Sequence, residues 1–184
     1  MPTIFFTLRF EATMEQAVRQ LWEVIAREGI EVQGLAGHRP HITVAAYDVK
    51  NVEHHLTLLD RTVNGFDTFP LTLDSLGIFP EHGVVFLAPR MTDALYSLHR
   101  RLVHDLSGPG LPRIKYEPLV PGNWMPHCTL VSDRTPSEAA RVVEICSRLW
   151  NPIAGMVEAI GALVPPDVDD LHEARLRLVE ERLS

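Results

Sequence analysis

Residues 40–44 read Pro-His-Ile-Thr-Val, and residues 126–130, close to half a chain further on, read Pro-His-Cys-Thr-Leu. Each segment alternates: Ile42, Val44 and Ala46 set off from His41, Thr43 and Ala45, and Cys128 and Leu130 from His127 and Thr129. Such alternation is the mark of a half-buried strand. One Pro-His-x-Thr is weak evidence of anything, but two with matching surroundings fix an architecture.

The surroundings do match. Phe5 to Phe10 reads as a strand, and Met14, Ala17, Val18, Leu21, Trp22 and Ile25 then recur at helical spacing up to Gly29. After the first motif a helix is predicted from Val52 to Thr62 with Asn51 as N-cap. Strands follow at Phe69–Leu76 and Val84–Ala88, joined by a turn at 80–83. In the second half a helix from Thr92 carries Leu95, Leu98, Leu102 and Leu106 on one face and is capped at Gly108. The second motif leads to Thr135-Pro136-Ser137-Glu138, a capping box that opens a helix to about Trp150. Two strands, Met156–Val164 and Glu173–Val179, close the chain. The expectation is an α+β, pseudo-two-fold duplicated fold, residues 1–184 as one domain with lobes of about 1–90 and 91–184, two antiparallel sheets flanking a central cleft and helices outside.

On a strand, side chains two apart share a face, so His41 stands beside Thr43 and His127 beside Thr129. If the halves pack about a two-fold axis, both pairs meet across one cleft. That arrangement suits acid-base cleavage of a phosphodiester: a neutral imidazole takes a proton, a protonated one gives one up, and two hydroxyls hold the non-bridging oxygens. The chemistry requires no metal or other cofactor.

The paired Pro40-His41-Ile42-Thr43-Val44 and Pro126-His127-Cys128-Thr129-Leu130 strands resemble the signature of the two-histidine (2H) phosphoesterase superfamily, nearest to its 2′-5′ RNA ligase and RNA 2′,3′-cyclic phosphodiesterase group. The resemblance covers essentially the whole chain. It implies a bilobal fold, hydrolysis of 2′,3′-cyclic phosphates to 2′-phosphates, His127 as the base activating water, His41 as the acid protonating the leaving 3′ oxygen, and base stacking on Phe5 or Phe6. Relatives acting on RNA often carry a basic residue before the second motif, where this sequence has Met125.

Composition narrows the partners. A formal charge of −7, from 24 acidic and 17 basic residues, provides no broad cationic surface to track a polyanion. A small phosphorylated nucleotide or short RNA terminus is the expected ligand, with no long nucleic acid, no membrane, and a monomeric, cytoplasmic protein. Cys128 and Cys146 read as reduced thiols, Cys128 facing the core and away from the chemistry. His54, His55, His99 and His104 fall on predicted helices without the spacing of a metal site, and are expected on solvated faces. His172-Glu173 lacks a second zinc-ligating histidine, and the glycines at 34–37 and 108–110 match no phosphate-binding loop. Two other functions use the same residues: a non-catalytic nucleotide-monophosphate-binding module and an RNA 2′-5′ ligase.

Overall fold

A computed structural model describes residues 1–107, 111, 113–149, 151–165 and 171–178. In chain order these form β1 (Thr3–Phe10), α1 (Ala12–Arg27), β2 (Ile42–Asp48), α2 (Val52–Val63), β3 (Phe69–Phe79), β4 (Val84–Pro89), α3 (Asp93–Leu106), β5 (Cys128–Val131), α4 (Pro136–Leu149), β6 (Ile153–Leu163) and β7 (His172–Arg175). Short 3₁₀ turns precede both motif strands, at Gln33–Ala36 and Glu117–Leu119. The expected C-cap at Gly108, the helix end at Trp150 and the strand end at Val179 lie outside the described residues.

Helices α2, α3 and α4 start where side chains take up orphan backbone N–H groups. Asn51 Oδ1 accepts from His54 N–H at 3.0 Å, and Thr92 Oγ1 from Leu95 N–H at 3.2 Å. At α4 the capping box is complete: Glu138 N–H donates to Thr135 Oγ1, while Thr135 N–H and its hydroxyl both donate to Glu138 Oε2. Met14, Val18, Trp22 and Ile25 are the buried stripe of α1. They meet Ile4, Phe6, Leu8 and Phe10 of β1 in one connected cluster of buried apolar residues drawn from both halves.

The two expected antiparallel sheets are present as two three-stranded leaves, β2-β1-β6 and β3-β4-β5, joined through β3–β6 pairing into one seven-stranded sheet with β7 on β6. In each half the repeated unit is β-α-β-α-β: β1 to β3, then β4 to β6. The third strand of each unit pairs with the first strand of the other, β6 on β1 and β3 on β4. The leaves therefore interleave the halves instead of dividing the chain near residue 90. Helices cross as well, with α3 packing on β2 and α1 touching β5. This order leaves both motif strands at the two ends of the sheet, where curvature brings β2 against β5.

Candidate active site between the motif strands

Both histidines stand one residue before the hydrogen-bonded part of their strand. Burial continues the alternation all the same: Ile42, Val44, Cys128 and Leu130 are buried, whereas His41, Thr43, His127 and Thr129 are half-buried. Directly opposed residues share a face, so pairing of Leu8 with Ile42 and Thr7 with Thr43 puts Thr43 opposite the helix-facing core. In the other leaf Leu87 pairs with Cys128 and Phe86 with Thr129. Cys128 is wholly buried and its thiol is pushed up to about 12 by burial, which removes it as a nucleophile.

The rings are anchored identically. His41 Nδ1 lies 2.8 Å from the Arg39 carbonyl, and His127 Nδ1 lies 2.8 Å from the Met125 carbonyl. A carbonyl only accepts, so Nδ1 carries the proton in each case and the lone pair of the neutral ring falls on Nε2. The intervening Pro40 and Pro126 bias the preceding residue to extended backbone, which sets the carbonyl under the ring.

Beyond that anchor the environments diverge. His127 packs against a pair of phenyl rings that touch each other at 4.4 Å, with Phe79 edge-on to it at 5.0 Å and Phe86 at 5.2 Å between centroids. Burial lowers its pKa below the ordinary 6.5, against the opposing pull of the Met125 carbonyl. His41 follows Arg39, whose guanidinium donates to Glu15 at 2.7 Å and to Glu173 at 2.8 Å. Burial works against the charge of Arg39, but those two carboxylates outweigh it and hold its pKa above the usual range. Arg39 thus ties α1 to β7 directly behind the first motif.

A pocket of about 130 Å³ is lined by His41 from the first motif and Thr129 from the second, with Trp22, Gly34, His38 and Arg39 among its other walls. Thr43 and His127 lie on the two flanking strands, outside that lining. Of the aromatics expected to stack a base, Phe6 is fully buried, and Phe5 is half-buried and stacks on the exposed Tyr116 at 6.1 Å. Two histidines expected on solvated faces are buried: His55 is 3% exposed and His99 is 0% exposed, the latter stacked on Trp124 at 3.9 Å with Nε2 bonded to the Leu119 carbonyl. Their positions continue the apolar stripes of α2 and α3, at i+3 from Val52 and i+4 from Leu95, a signal the sequence did carry. His54 and His104 are exposed. Among the described residues no three His, Cys, Asp or Glu side chains are grouped to hold a metal, and no helix is long and apolar enough to cross a membrane.

Two interleaved antiparallel leaves with a His-x-Thr strand at each end define a duplicated α+β architecture of the two-histidine phosphoesterase kind. The same fold occurs in the crystal structure of E. coli LigT complexed with 3′-AMP, at 18% identity and a TM-score of 0.63 over 95% of this chain and 98% of that one. The apo form of E. coli LigT gives 19% and 0.62 over 96% and 98%, and a crystal structure described as a phosphoesterase gives 19% and 0.60 over 96% and 99%. No curated protein matches the chain. Residues 6–169 match the family described as the 2′-5′ RNA ligase superfamily, and the chain belongs to it.

Proposed function

We infer that this protein is a metal-independent phosphodiesterase that opens 2′,3′-cyclic phosphates, or related phosphodiesters of nucleotides and short RNA ends, with His41 and His127 as catalytic residues. The observation that carries the reading is the duplicated anchor: each Nδ1 proton is committed to a carbonyl two residues back, so each ring offers Nε2 for proton transfer on the face shared with its motif threonine. That His41 and Thr129 border one pocket supports a phosphate held between residues of both halves. Membership in the superfamily supports an enzyme of the phosphoesterase or ligase type, and the 3′-AMP and phosphate complexes of E. coli LigT support a small phosphorylated nucleotide as ligand.

The lowered pKa of His127 supports one order of steps. His127, its charged form disfavoured by burial against the phenyl pair, takes a proton from the attacking water through Nε2 as the water oxygen bonds to phosphorus. The bond from phosphorus to the 3′ oxygen breaks, and protonated His41 delivers its Nε2 proton to that oxygen, leaving a 2′-phosphate. Thr43 and Thr129 donate to the non-bridging oxygens, where negative charge grows. Solvent then restores the two protonation states.

The test is incubation with the four nucleoside 2′,3′-cyclic monophosphates in EDTA. Expected is a 2′-phosphate product, with turnover reduced at least about hundredfold in His41→Ala and in His127→Ala. Dependence on a divalent metal, or full activity in either variant, sinks the mechanism. Stabilisation by adenosine monophosphate without turnover supports the binding module instead, and joining of RNA ends supports the ligase.

A further inference from the structure

The loop before each motif lies along the motif strand of the other half. Gln33, in the 3₁₀ turn ahead of β2, grips the residue that follows β5: its Nε2 donates to the Ser132 carbonyl at 2.9 Å and its Oε1 accepts from Ser132 N–H at 3.3 Å. Reciprocally, Lys115 N–H, ahead of β5, donates to the Ala46 carbonyl of β2 at 2.7 Å. At the centre of this exchange stand two indoles. Trp22 Nε1 donates to the carbonyl of Thr129 at 3.1 Å, and Trp124 Nε1 donates to the carbonyl of Thr43 at 3.0 Å. Each motif threonine is thus held through its backbone by a tryptophan of the opposite half.

Both indoles are closely packed. Trp22 is 3% exposed, and a Cβ on Gly34 would sit 2.6 Å from its ring, so the chain passes flush against it. Trp124 is 9% exposed and stacks on His99 with the rings inclined by 13°. An indole has a single N–H, so its bond to the carbonyl ties the ring to the strand edge.

A strand's carbonyls lie in the sheet plane while its side chains stand perpendicular, so pinning the carbonyl of Thr43 or Thr129 fixes the roll of the strand and with it the aim of the hydroxyl. Strand edges with unpaired carbonyls otherwise drift toward any available partner. We propose that Trp22 and Trp124 are positioning residues that set the spacing and roll of the two motif threonines, and so the fit of a phosphate between the halves. The inference rests on the reading of His41 and His127 as the reacting pair.

Trp22→Phe and Trp124→Phe remove the donor and keep an aromatic ring. Because the threonines hold charge that develops during reaction, each variant is expected to lose about tenfold in kcat while KM for a 2′,3′-cyclic nucleotide stays within about twofold. The double variant falls well short of the product of the two, since either loss already spoils the spacing between the two threonines. In the unmodified protein, titration with inorganic phosphate is expected to move both indole N–H resonances together with the ring signals of His41 and His127. Melting temperatures that fall while kcat holds, or indole signals that stay still while the histidines respond, overturn the proposal. If His41→Ala retains turnover, the catalytic reading fails; if it abolishes turnover and the tryptophan variants do not, only the indole inference fails.

Discussion

The two motif strands have the same anchor and different neighbours. On β1 the residue paired with Thr43 is Thr7, and across from Thr7 on β6 stands Gly161; on β4 the residue paired with Thr129 is Phe86, and across from Phe86 on β3 stands Gly77. The glycines correspond under the duplication, and so do Thr7 and Phe86. One site has a hydroxyl bonded to the Gly161 carbonyl and the other a phenyl ring lying over Gly77 against His127. The same Pro-His-x-Thr pattern thus acquires two different surroundings from what stands one strand away. The proposed mechanism uses one neutral and one charged imidazole at the same pH, and unequal surroundings favour one order over the other.

The largest effect breaks the pair by leaving-group chemistry. His41→Asn and His127→Asn are both expected to lose at least about hundredfold on a cyclic nucleotide. On a phosphodiester with a nitrophenolate leaving group, which departs without a proton, His41→Asn recovers most of its rate and His127→Asn does not. Recovery in the wrong variant reverses the assignment, and equal recovery abolishes it.

Next comes the wall itself. Phe86→Thr gives the second leaf the chemistry of the first and lets water reach His127. A histidine whose pKa is depressed stays neutral down to a lower pH, so on the proposed mechanism the rising limb of kcat/KM is expected below 6.5 in the natural protein. Removing the ring moves that limb up toward 6.5 and lowers activity on the acid side by up to about tenfold per unit moved, with little change at pH 8. A pH-rate profile that does not move separates Phe86 from His127. In stability the sign is the same: charging His127 is disfavoured in the fold, so its contribution is full above about 6.5 and lost as pH falls through the depressed value.

A smaller effect comes from Gly77→Ala, whose Cβ would fall 2.4 Å from Phe86 Cζ. The ring must swing away, at about 1–3 kcal/mol of stability by thermal or denaturant melting, and the rising limb should shift in the same direction as in Phe86→Thr. The smallest belongs to the first leaf. Arg39→Gln unties Glu15 and Glu173, and because these groups are partly exposed the loss is about 1 kcal/mol. The pH limb set by His127 should not change.

The part of this legible in the sequence was local or repeated. Thr135 and Glu138 announce their capping box within four residues, and the two Pro-His-x-Thr segments announce the duplication because strand alternation carries over to burial residue by residue. Strand exchange was not legible: β3 and β6 offer similar apolar patterns to either neighbour, and pairing between residues far apart leaves no local trace. Phe79 was missed because the strand was expected to stop at Leu76, and Phe86 because it reads as one more β-former. Aligning β4 with β1 would have set it against Thr7. Trp22 was legible as part of a helical stripe, yet the partner of its N–H lies in the other half, and periodicity says nothing about that.

The exchange of third strands bears on where such a chain can be cut. One β-α-β-α-β unit alone would leave β1 without β6, or β4 without β3, with a bare ladder where the missing strand belongs. Two separate copies could cover both ladders by trading strands, which is the topology of a swapped homodimer whose subunits have been spliced end to end. In that light His41 and His127 are one position seen twice, and in a single chain the two copies can carry different neighbours.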